Sequence, residues 1–114
     1  MQKTTLFQNL VYFAAADGKF TEEELEFLAI RAEDWQIPGD EFETALTGVA
    51  EGKMDLRLPE KREDRITLLS EMIRLMAADG ELAEIEKQLC AQASAKMHFT
   101  EGEFEEILEM VLNS

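Results

Sequence analysis

Val11–Leu46 reads VYFAAADGKFTEEELEFLAIRAEDWQIPGDEFETAL, and Ile73–Leu108 reads IRLMAADGELAEIEKQLCAQASAKMHFTEGEFEEIL. The two segments align without a gap at an offset of 62 residues. Of the 36 aligned positions, 11 are identical, against roughly two or three expected from chance pairing. The identities include Asp17/Asp79, Gly18/Gly80, Glu22/Glu84 and Glu24/Glu86, so they reach beyond residues that merely fill a core. Each segment is a helix–break–helix unit, and its duplication decides the architecture.

Outward from this unit, apolar residues recur at helical spacing and no stretch alternates as a strand does. A first helix is expected from about Lys3 to Ala16, with the stripe Leu6, Leu10 and Phe13. It stops at Asp17-Gly18, because glycine accepts the left-handed turn that ends a helix. A second opens at Thr21, where Thr21-Glu22-Glu23-Glu24 forms a capping box: hydroxyl and carboxylate each satisfy a backbone N–H. Its core face reads Leu25, Leu28, Ala29 and Ala32, and it ends near Trp35. Pro38-Gly39-Asp40 starts a third helix carrying Phe42, Leu46 and Val49. A long helix from Pro59 to Ala78 has its stripe Leu68, Met72 and Leu75 at the same 62-residue offset from the first. Helices over about Ala83–Met97 and Thr100–Leu112 complete the second half.

The resulting expectation is an all-α, single-domain helical bundle of six to seven helices spanning residues 1–114. The copies cover about 6–50 and 66–112, and the connector, 51–65, carries one short helical turn around Met54–Leu58. Neither copy is expected to bury its apolar face alone, so the two should pack about a pseudo-twofold axis.

The charge balance narrows the function. With 11 basic and 25 acidic residues the net charge is −14, a field that repels phosphate backbones and anionic membranes. Nucleic-acid binding and peripheral membrane binding are therefore disfavoured, and cations or basic protein partners are favoured. Acidity also simply keeps a protein soluble. The apolar run Leu10–Ala16 is too short to span a bilayer. The opening MQKTTLFQNL lacks the features of a secretory signal, which points to a cytoplasmic location. One cysteine, Cys90, rules out an internal disulfide.

The carboxylates are the candidate site. Extending each stripe by one step places Asp17 and Asp79 at a helix end close to the interior, where a carboxylate must be neutralised or well hydrogen-bonded. Seven residues on, Glu24 and Glu86 fall in the first turn of the next helix, and a sharp turn would bring each Asp–Glu pair together. That is an oxygen-rich donor set suited to a hard divalent cation such as calcium or magnesium. Helix capping accounts for first-turn acids equally well. The copies differ here: Glu24 has its capping partner Thr21, whereas Glu86 faces Ala83, which has no side-chain oxygen. Both readings stay open. DGKFTEEE also resembles the back half of an EF-hand loop, but the positions needing oxygen ligands are Phe13 and Ala15, and then Leu75 and Ala77. This is not an EF-hand.

AAADGKFTEEELEFLA, MAADGELAEIEKQLCA and the connector RLPEKREDRITLLSEMIRLMAADG resemble the repeated signature of the TerB-like family. The similarity covers roughly Leu6–Leu112. It implies an all-helical fold with internal pseudo-symmetry, and a tellurite-resistance or stress-response context. It also implies paired acidic metal ligands at Asp17 and Glu24 and at Asp79 and Glu86. Ala83 departs from the pattern. A related domain in J-domain co-chaperones implies the alternative, a protein-interaction module whose acids are only caps.

Cys90 aligns with Leu28 and reads as a buried core residue. His98, the single histidine, falls just past a helix end as a cap or solvent-facing residue. Trp35, at the end of the second helix, reads as core, with partner contact as the alternative. A Cys/His zinc site is excluded by count, and no nucleophile–base arrangement or Gly-rich phosphate loop is legible. No enzymatic activity is expected.

Overall fold

The computed structural model describes residues 1–16, 21–53, 56–80 and 82–113. Among them are six α-helices and no strand: α1 (Lys3–Ala15), α2 (Glu22–Asp34), α3 (Gly39–Ala50), α4 (Arg62–Met76), α5 (Glu84–Lys96) and α6 (Glu101–Leu112). The chain divides into two compact units, Met1–Arg57 and Leu58–Ser114, with three helices each. In the first, α1 packs on α2 and α3; in the second, α4 packs on α5 and α6, and α5 on α6.

The helix limits repeat with the sequence. α2 and α3 reappear residue for residue as α5 and α6, shifted by 62. Capping boxes start one helix of each unit, α2 and α6, at positions that are not counterparts in the repeat. Thr21 and Thr100 each accept the N–H of the residue three further on, while the Glu24 and Glu103 carboxylates accept the threonine N–H. α2 and α5 end alike. Ile37 N–H bonds Ala32 C=O and Gln36 N–H bonds Glu33 C=O; Phe99 N–H bonds Ser94 C=O and His98 N–H bonds Ala95 C=O. This is the Schellman pattern, and it puts Gln36 at φ 56° and His98 at φ 67°. His98 is exposed at this helix end, as its position in the sequence implied. Gly80, at φ 95°, takes the left-handed turn expected after α4. Gly18 lies outside the described residues.

α1 and α4 form the centre of each unit. Leu6, Phe7, Leu10, Val11, Phe13 and Ala14 are buried on α1; Leu68, Leu69, Met72, Ile73, Leu75 and Met76 are buried on α4. Phe7 meets Phe42 of α3 edge-on at 5.2 Å. Trp35 is half-buried beneath two cations, Lys3 at 5.2 Å and Arg31 at 6.0 Å, which ties α1 to the end of α2. Asn9 is the polar exception on α1. Its amide donates to Arg57 C=O (2.8 Å) and accepts Arg57 N–H (2.9 Å), fastening the end of the first unit to α1.

Three expectations are corrected. The fourth helix begins at Arg62, not Pro59. Lys61 is extended (ψ 136°), and Pro59 C=O accepts the Arg65 guanidinium, so the preceding residues cover the helix start instead of joining it. Residues 56–58 are not helical, and Met54 and Asp55 lie outside the described residues. On α2 the buried stripe runs through Glu24, Leu28 and Ala32, while Leu25 is 38% exposed and Ala29 is exposed. Successive i, i+4 steps from Leu28 pass through Glu24, so the glutamate occupies the core-facing place that hydropathy assigned to Leu25.

Candidate functional site

Glu24 and Glu86 occupy the third position of α2 and α5, on the buried stripe of each helix. They are 2% and 8% exposed, against the expectation that first-turn acids face solvent. One carboxylate oxygen of Glu24 accepts the Thr21 N–H at 2.9 Å, and one of Glu86 accepts the Ala83 N–H at 3.0 Å. The first copy adds the reciprocal bond, Glu24 N–H to the Thr21 hydroxyl at 3.1 Å. The second cannot, because Ala83 has no side-chain acceptor. Half of a capping box therefore survives at Glu86, where the sequence pointed to none.

The aspartates are placed differently. Asp79 is exposed, in the turn just before Gly80. It misses the interior because α4 stops at Met76, three residues short, and the helical stripe does not continue to it. Asp17 lies outside the described residues. Among the described residues no group of three or more His, Cys, Asp and Glu gathers as a metal site.

One turn after Glu86 on α5 stands Cys90, wholly buried as its alignment with Leu28 implied. Burial, and then the negative charge of Glu86, push its thiol up to about 12. Cys90 is thus protonated at neutral pH and is no nucleophile. At α6, Glu103 is held below the usual carboxylate range, first by the Thr100 N–H and then by the Arg62 guanidinium.

Two features escaped the reading of the residues. Asn9 was legible only as a polar residue inside an apolar stripe. In the second unit α5 and α6 leave a groove of about 400 Å³, with Ala91, Ser94 and Ala95 along α5 and Phe99 and Phe104 opposite. Its signal is a run of small residues at i, i+3 and i+4 on a helix. A second, polar cavity of about 780 Å³ in the first unit is lined by Asp40, Glu43, Thr44, Lys53 and Arg57, among others. No helix among the described residues is long and apolar enough to cross a membrane.

No protein-family model, curated protein or solved structure significantly matches the chain.

Proposed function

We propose that this chain is a non-enzymatic, acidic helical module of TerB-like type. Asp17 and Glu24 in the first copy, and Asp79 and Glu86 in the second, bind a hard divalent cation. One observation carries the reading: a carboxylate is buried on the apolar stripe at the same place in both copies, with or without a capping threonine. Burying that charge is costly unless it is compensated, and a bound cation is one way to compensate it. The donor chemistry fits the ion. Carboxylate oxygens suit calcium or magnesium, and each glutamate places one oxygen on its helix start. An ion held by these carboxylates would neutralise their charge. The TerB-like resemblance adds a tellurite or stress-response role in the cytoplasm.

The test is thermal melting of the metal-stripped protein with calcium, magnesium, manganese or zinc. At about 100 times Kd, a bound ion adds ~2.7 kcal/mol, or several degrees in Tm. The rise should disappear in the Asp17→Asn/Asp79→Asn double variant. A flat response of the unsubstituted protein to all four ions defeats the proposal.

A second reading is supported by the 2.9 and 3.0 Å bonds of Glu24 and Glu86 to backbone N–H groups, which make helix capping their role. The chain is then a protein-interaction module. Asn caps nearly as well as Asp, so under this reading the double variant costs little and cations do nothing.

A further inference from the structure

The α5–α6 groove has a composition unlike a solvated helix face. Its floor is made of small side chains, Ala91, Ser94 and Ala95, and its far wall of the mostly buried rings of Phe99 and Phe104. Small residues let another chain approach closely, and the rings supply an apolar surface for an anchor side chain. The rim is acidic, with Glu84 on α5 and Glu101 and Glu105 on α6, against one cation, Lys87.

These rim carboxylates differ from the neighbouring acids. Glu103 caps α6 and pairs with Arg62, and Glu86 holds the start of α5. Among the described residues, no ion pair or side-chain hydrogen bond engages Glu84, Glu101 or Glu105. An apolar trough edged with uncommitted negative charge is complementary to one kind of chain: an amphipathic segment with one bulky apolar face flanked by lysine or arginine. The net charge of −14 steers such a segment toward the surface.

We infer that the α5–α6 groove docks a basic amphipathic helix of a partner protein, with an apolar anchor seated on Ala91 and Ala95 and basic residues over Glu101 and Glu105. This rests on the interaction reading above and is independent of cation binding. The duplication supplies a control, because Ala29 is the counterpart of Ala91 in the first copy and is likewise on a helix surface.

The probe is a fluorescent leucine–lysine helical peptide of about 18 residues, beside its leucine–glutamate counterpart. Binding is followed by anisotropy and by amide chemical shifts of the whole chain. The lysine peptide should bind saturably and move the amides of Ala91, Ala95, Phe99 and Phe104, and the glutamate peptide should not bind. Ala91→Arg, which fills the trough and adds a positive charge to it, should weaken binding at least tenfold, and Ala29→Arg should leave it within twofold. Unchanged circular dichroism of both variants verifies folding. If the lysine peptide binds but shifts other amides, or Ala91→Arg binds as well as the unsubstituted chain, the groove assignment is wrong and the interaction reading survives. If neither peptide binds, both fall.

Discussion

Gln36 and His98 carry side chains through a backbone conformation that suits glycine, at φ 56° and 67°. A Cβ in the left-handed region costs roughly 1–2 kcal/mol, and glycine there gives back part of that gain through its own chain entropy. Gln36→Gly and His98→Gly should therefore each stabilise the chain by about 0.5–1 kcal/mol, read as a higher urea midpoint at unchanged slope. A loss at either position would mean that its side chain makes a contact outweighing the strain. The same scale shows what single residues could and could not disclose in advance. Cys90 was legible as core because its twin is Leu28. Asp79 was misplaced because one more helical step was assumed beyond Met76, where the helix has already ended.

At the scale of the helix, the two copies differ most usefully at one cap. α2 starts with both halves of a capping box, and α5 starts with the glutamate half alone. Thr21→Ala should cost about 1 kcal/mol, and Ala83→Thr should add about 1 kcal/mol by completing the missing half. Equilibrium denaturation of the pair checks both signs. If Ala83→Thr is neutral, the exposed start of α5 gains nothing from a hydroxyl. Caps also explain which helix limits could be read beforehand. Thr21, Pro38 and Thr100 announce α2, α3 and α6 within a residue, because a cap's signal is local. The start of α4 depends on the Arg65 guanidinium reaching back to Pro59 C=O, a contact across a bend that no spacing rule contains. The stripe of α2 was centred one residue off because hydropathy ranks Leu25 above Glu24, whereas the fold buries the glutamate.

For the molecule as a whole, the all-helical architecture and the 62-residue period were legible because they rest on many weak signals that agree. The candidate site was legible in composition and not in arrangement. Four carboxylates stand out in the alignment. Whether Asp and Glu converge is decided by the turn between two helices, and turn geometry depends on backbone angles that composition leaves open. The α5–α6 groove left only one trace in the sequence, the small residues at i, i+3 and i+4 on α5, and that spacing serves a packed helix face as well as an open groove.

The amide clasp of Asn9 on Arg57 reaches beyond packing, to how the chain meets a protease. Arg57 has an exposed side chain and would ordinarily mark a tryptic cleavage point. A protease must draw several residues into an extended strand, and here both the N–H and the C=O of Arg57 are held by a buried side chain that is 1% exposed. Limited trypsin digestion should therefore spare the Arg57–Leu58 bond while other exposed basic sites are cut, and Asn9→Ala should open it, as read by intact-mass spectrometry. Early cutting at Arg57 in the unsubstituted chain would show the clasp opening faster than the protease acts. A lone polar residue in an apolar stripe thus decides where the polypeptide can be nicked.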